Sequence, residues 1–191
     1  IYKSINKSLE YINFPEIPID NIRKYVGNGA KALIKKTLNF FSDKYDKKYL
    51  EIVEEKMYNF YMEYYFEHCI DETNLYEDVE DTLKKLFELN IDMFIITNKP
   101  NNIAINTSKK LNIFNYFKAI IGDGIYPYRK PDINIWNNLK KDYNLIEDKT
   151  IMVGDGIPDY DFAKNSKLKV LLALYGITDK NILLSLKNDY Y

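Results

Sequence analysis

Ile151-Met152-Val153-Gly154-Asp155-Gly156-Ile157-Pro158-Asp159 runs from an apolar stretch through two glycines to a proline and a carboxylate. An apolar run that stops at glycine reads as a short buried strand followed by a turn. Proline is favoured at the start of a helix, where its missing N–H is not needed. The stretch therefore predicts strand, tight turn, helix. Asp155 falls at the carboxyl end of the strand and Asp159 in the first helical turn. Open parallel sheets bind ligands at that end of their strands.

The same grammar extends over residues 73–191. Apolar runs at 93–96, 117–121, 151–153 and 170–174 alternate with amphipathic stretches. The runs lack strict alternation, as expected for strands buried on both faces. Helices are expected over about 77–89, with Val79, Leu83 and Leu86 inward, and from Pro100 to about Leu111. Two more start at Pro131, with Ile135, Trp136 and Leu139, and near Pro158, with Phe162 and Ala163. Strand–helix–strand repetition predicts crossover connections and a parallel sheet.

Residues 1–72 read differently. Ile1, Ile5, Leu9 and Ile12 recur at helical spacing, and Pro15 and Pro18 then break the pattern. Asp20 is placed to cap a short helix through Ile22 and Tyr25. Gly27-Asn28-Gly29 signals a loop, and Leu33, Ile34, Thr37, Leu38 and Phe41 form a further apolar face. A long helix is expected from about Asp46 to Glu67, with Leu50, Val53, Met57, Phe60, Tyr61 and Tyr64 as a packing stripe. The expected organisation is a helical domain, 1–72, and an α/β domain, 73–191.

Composition narrows the function. Lys+Arg number 27 against 28 Asp+Glu, a net charge of −1, which offers no general attraction to nucleic acid. Arg23 and Arg129 are the only arginines, so a surface of guanidinium forks is not expected. No apolar run approaches the roughly 20 residues of a membrane-spanning helix. One Cys and one His exclude an internal disulfide and a Cys/His zinc site. A single cysteine fits a reducing compartment, and a cytoplasmic location is expected.

Three segments carry residues suited to phosphoryl chemistry. Asp155 and Asp159 can face one point above a sheet edge and offer Mg2+ the hard oxygen ligands it prefers. Either could equally cap the helix N-terminus. In Ile95-Ile96-Thr97-Asn98-Lys99-Pro100, a strand-end hydroxyl could donate to a phosphate oxygen beside the N–H groups of the next helix. Thr97 alone is also compatible with an ordinary strand end, and Lys99 with a solvated loop. In Arg129-Lys130-Pro131-Asp132, a lysine before a helix start could neutralise a transferring phosphoryl group. Asn28 and Gly29 sit in a loop whose glycines permit close backbone approach or simply turn the chain.

Those three segments, in that order, resemble the haloacid-dehalogenase-like hydrolase superfamily and, within it, the phosphoglycolate-phosphatase-like branch. The resemblance implies a Rossmann-like parallel sheet core carrying an inserted alpha-helical cap, with 1–72 as the cap. It implies a Mg2+-dependent phosphatase acting on a small phosphorylated metabolite, with phosphoglycolate as the leading candidate. Thr97, Asn98 and Lys130 are implied as catalytic, Asp155 and Asp159 as the metal-site acids, and Lys99, Asn28 and Gly29 as substrate-binding. Tyr175-Gly176 and Asp189-Tyr190 also match the family's habit.

One family motif does not occur: the Asp-x-Asp-Gly-Thr strand whose first aspartate forms an aspartyl-phosphate. Ile1 reads as lying just after it, so the nucleophile is expected upstream. Residues 1–191 by themselves are expected to be a fragment, inactive and poorly stable. Two other functions fit the same residues. One is a phosphoglucomutase-like phosphotransferase or pyrophosphatase of the same superfamily. The other is a non-catalytic binding or regulatory protein on the same fold. The Thr-Asn-Lys run argues against the mutase. Oligomeric state is not legible.

Overall fold

The computed structural model describes residues 1–187, so Asp189-Tyr190 lie outside the described residues. The chain is an α/β protein whose strands pair in parallel, with a helical segment at its start. It divides into two compact units, Ile1–Ile125 and Tyr126–Tyr191. No described helix is long and apolar enough to cross a membrane.

The first unit opens with α1 (Tyr2–Tyr11), α2 (Ile19–Tyr25), α3 (Ala30–Asn39) and α4 (Lys47–Glu67). Ile5, Leu9, Ile34, Leu38, Met57 and Tyr61 are fully buried together. Asp46 caps α4 by accepting the Lys48 N–H at 2.8 Å. Asp20 does not cap α2 but lies inside its first turn, because Pro18 takes the flanking position. The inner stripe of α4 is Leu50, Val53, Met57, Tyr61 and Tyr65. Steps of three and four residues keep that set on one face. Phe60 and Tyr64, expected inward, instead stack along the flank, with Tyr11 4.3 Å from Phe60.

After α4 comes α5 (Val79–Glu88), then β1 (Phe94–Pro100), α6 (Asn101–Lys110) and β2 (Ala119–Asp123). α5 begins after Glu77 and Asp78, and its apolar residues Val79, Leu83 and Leu86 are only half-buried. β1 pairs with β2 in parallel, Phe94 to Ala119 through Ile96 to Ile121. The register then shifts before Pro100 meets Asp123. The strand thus runs on through Thr97-Asn98-Lys99, and Pro100 precedes α6 rather than opening it.

Gly122 is where β2 passes the β1–α6 junction. A methyl there would fall 2.5 Å from Asn101 Cα and 2.8 Å from the Lys99 carbonyl oxygen. The Gly122 N–H also donates to Asn101 Oδ1 at 2.9 Å. The obstacles are backbone atoms, which cannot rotate away. Gly122→Ala should therefore destabilise the protein by about 1–3 kcal/mol, as overpacked interiors do. Urea denaturation measures this, and an unchanged midpoint would refute the close packing.

The second unit holds α7 (Asn134–Tyr143), β3 (Ile151–Gly154), α8 (Ile157–Asn165), β4 (Lys169–Leu172) and α9 (Lys180–Leu184). Ile135, Trp136, Leu139, Phe162 and Ala163 are buried as their spacing predicts. α7 starts three residues later than Pro131, and α9 is not among the expected helices. β3 and β4 pair in parallel from Ile151–Lys169 to Gly154–Leu172. The strands were expected to be buried on both faces. β3 is not: Met152 is buried, whereas Ile151 and Val153 are 47% and 58% exposed. Ile151 and Val153 share one face of β3, and that face is open to solvent; among the described residues the strands form two separate two-stranded sheets.

Candidate active site

Each unit presents part of the residue set at the carboxyl end of a parallel strand. In the second unit the centre is Asp159, in the first turn of α8. Its Oδ2 accepts the N–H groups of Asp155 and Gly156, both at 3.1 Å. Its Oδ1 accepts Lys130 Nζ at 2.5 Å. Both side chains are nearly buried, at 10% and 11% exposure. A carboxylate at a helix N-terminus also suits the helix dipole. Capping and the recruitment of a lysine are therefore one arrangement here, not alternatives.

Asp155 lies between β3 and α8 and is half-buried. Its Oδ2 accepts the Ile177 N–H at 2.9 Å, from the turn after β4. Arg129, next to Lys130, is exposed. Elsewhere in this unit, burial raises the Tyr126 phenol well above the ordinary tyrosine range, helped by its bond to Asp142.

In the first unit the Thr97-Asn98-Lys99 stretch meets the Gly27-Asn28-Gly29 loop. Asn98 is buried, and its Nδ2 donates to the Gly27 carbonyl at 2.9 Å, across 71 residues of sequence. Gly27 and Gly29 have φ of +118° and +86°, a region that other residues rarely enter. Asn28 at the loop tip is exposed and Gly29 half-buried. Thr97 Oγ1 accepts the Lys99 N–H at 3.1 Å, a bond that leaves its own O–H as a donor. Lys99 Nζ lies 5.3 Å from the centroid of the Tyr65 ring and Lys31 Nζ 5.9 Å from that of Tyr58, both within cation–π reach.

The structure thus joins Asn98 to the Gly27–Gly29 loop in one unit and Lys130, Asp155 and Asp159 in the other. Three contributors escape sequence reading. The Gly27 carbonyl and the Ile177 N–H are backbone groups, which nearly every residue type supplies and whose roles residue identity does not mark. Tyr65 carries a signal, the four-residue step from Tyr61, although the expected stripe takes Tyr64 instead. His68 takes no part in either group; it stacks on Tyr64 at 4.2 Å and bonds Asp71 through Nδ1 at 2.8 Å.

Among the described residues no three His, Cys, Asp or Glu side chains gather into a metal cage. The donor chemistry nevertheless suits Mg2+, which holds to one or two carboxylates and keeps several waters. Asp155 is the acid placed to serve. Asp159 has both oxygens engaged by Lys130 and by backbone N–H groups.

A family model for haloacid dehalogenase-like hydrolases matches residues 1–173. The phosphoglycolate phosphatase of Chromobacterium violaceum is 25% identical over 181 residues, covering 93% of this chain and 79% of its own length. That of Colwellia psychrerythraea is 29% identical over 173 residues, covering 91% and 76%. The crystal structure of a predicted phosphoglycolate phosphatase from Haemophilus somnus superposes with a TM-score of 0.83 at 23% identity, covering 94% of this chain and 80% of that one. At that identity the superposition speaks for the fold.

Proposed function

Since the chain belongs to the haloacid dehalogenase-like hydrolase family, we propose that it is the cap and most of the core of a Mg2+-dependent phosphatase acting on a small phosphomonoester such as phosphoglycolate. Residues 1–72 form the cap and 73–191 the core. The buried Lys130–Asp159 pair at the carboxyl end of β3 is the observation that supports this most directly. A lysine held nearly out of water and aimed by a capping carboxylate is a preorganised positive charge, the kind of group that stabilises a transferring phosphoryl group.

The Thr97 O–H and the Asn98 side chain donate to the phosphoryl oxygens, and Lys130 neutralises their charge. Asp155 ligates Mg2+, which supplies charge neutralisation when bound. Asp159 serves the metal site through Lys130 and the turn that carries Asp155. Lys99, Asn28 and Gly29 bind the rest of the substrate. The Asn98–Gly27 bond ties the cap loop to the strand bearing the phosphate donors, so cap position and substrate binding are coupled. The nucleophile is an aspartate expected upstream of Ile1: its carboxylate attacks phosphorus and releases the substrate's alcohol, and water then cleaves the acyl phosphate to give inorganic phosphate and the free carboxylate. The buried, unpaired Cys69 fits a cytoplasmic enzyme.

The test begins with the coding sequence upstream of Ile1, where an apolar strand ending in Asp-x-Asp-Gly-Thr is expected. The chain extended through that segment should release inorganic phosphate from phosphoglycolate and stop when a chelator removes Mg2+. Lys130→Met should lower kcat about 10²–10³-fold, the loss typical of one charge-stabilising group. Isomerisation of a sugar phosphate without phosphate release would replace this reading with a phosphotransferase. No turnover of any phosphomonoester would refute it.

A further inference from the structure

We propose that the turn at 175–178, beyond β4, is a positioning element for the Asp155 carboxylate, built from backbone rather than from side chains. The inference rests on the proposed role of Asp155 in holding Mg2+.

The β3–β4 ladder delivers the turn to its place. Its register runs to the last strand residues, Gly154 opposite Leu172, and the Ala173 N–H continues it onto the Gly154 carbonyl at 2.8 Å. The following residues then fold back over the Asp155-Gly156 turn. A methyl on Gly176 would lie 2.2 Å from both Asp155 Cβ and Oδ2. The Ile177 N–H donates to Asp155 Oδ2 at 2.9 Å. Thr178 Oγ1 comes within 3.6 Å of where a Gly156 methyl would be. Three consecutive residues thus lie against two.

The side chains of Tyr175 and Ile177 are 65% and 69% exposed, so it is the main chain that faces Asp155. The bond to Oδ2 restrains the carboxylate, and with it the direction in which Oδ1 is offered. An N–H donor to an ionised acceptor is among the stronger hydrogen bonds. Asp159 holds the Asp155 N–H from the other side, so Asp155 is fixed at its backbone by one element and at its carboxylate by another. Gly176 is required because Asp155 Cβ sits one bond from the backbone and cannot swing aside as the end of a long side chain can.

Partners of this kind orient metal ligands, and their loss weakens metal binding about 10–100-fold. The experiment is a Mn2+ titration of the full chain, read by the electron paramagnetic resonance of the free ion, with urea midpoints measured in parallel. Gly176→Ala should weaken Mn2+ binding at least tenfold. It should weaken it no further when Asp155 is already Asn, because the turn acts through that carboxylate. If Asp155→Asn weakens binding and Gly176→Ala does not, or if the two losses simply add, the positioning role is refuted and the metal role of Asp155 stands. If Asp155→Asn leaves Mn2+ affinity unchanged, the metal reading itself fails and the inference with it. Should Gly176→Ala not fold, hydrogen exchange decides. The Ile177 amide is expected to lose about tenfold in protection in Asp155→Ala, which leaves it no side-chain acceptor, and unchanged protection overturns the proposal.

Discussion

Replacing Asp159 with alanine is expected to destabilise the protein by about 3–5 kcal/mol, the cost of removing one partner from a buried ion pair. Lys130 and Asp159 are nearly out of water, so the ammonium would lose the Asp159 charge where solvent can barely replace it. The same substitution takes the acceptor from the N–H groups of Asp155 and Gly156 at the start of α8. Asp159→Asn separates the two losses. It keeps an acceptor oxygen for the backbone but not the charge for Lys130, so its cost should fall between alanine and none. Urea denaturation gives the free energies, and hydrogen exchange at the Asp155 and Gly156 amides shows whether the turn has opened. A loss below about 1 kcal/mol for Asp159→Ala would place the pair among exposed bridges, whose removal costs little.

Leu9→Ala is expected to cost about 3–5 kcal/mol, from lost transfer energy and from the cavity left behind. Leu9 is fully buried among Ile5, Ile34, Leu38, Met57 and Tyr61, contributed by α1, α3 and α4. Neighbours on three helices cannot all move into one hole. Ile52→Ala is the contrasting case. Ile52 sits on α4 between the buried Leu50 and Val53, yet it is 66% exposed. Its substitution should change stability by no more than about 0.5 kcal/mol, the usual range for surface positions. Equal losses at the two positions would mean that the helical segment has no single core.

Much of the fold is legible along the chain because it depends on period. Steps of three and four residues placed Leu50, Val53, Met57 and Tyr61 on the inner face of α4. Glycine and proline marked the Gly154–Asp159 turn and the break after α1. Reading failed where a neighbour distant in sequence sets the outcome. Phe60 and Tyr64 are as apolar as Tyr61 and Tyr65, yet they stack with Tyr11 and His68 on the flank of α4. β1 outran its apolar core because pairing with β2 carries the backbone on to Pro100. Ile151 and Val153 have the composition of buried strand residues, but burial depends on what covers them.

The candidate site divides in the same way. The sequence by itself determined which chemical groups exist and at which strand ends they fall: the hydroxyl of Thr97, the ammonium of Lys130, the carboxylates of Asp155 and Asp159. That follows from residue type and from the local strand-to-helix grammar, which acts over a few residues. Only the tertiary structure decided what each group is bonded to. It gave Asp159 to Lys130 and to two N–H groups at once, Asn98 to the Gly27 carbonyl, and the Asp155 carboxylate to the Ile177 N–H. Four of these partners are backbone groups, which leave no mark in residue identity. The partners lie 71, 29 and 22 residues from Asn98, Asp159 and Asp155 in turn. Spacing within a motif carries no information over such lengths, because only the folded chain brings such distant segments within hydrogen-bonding distance.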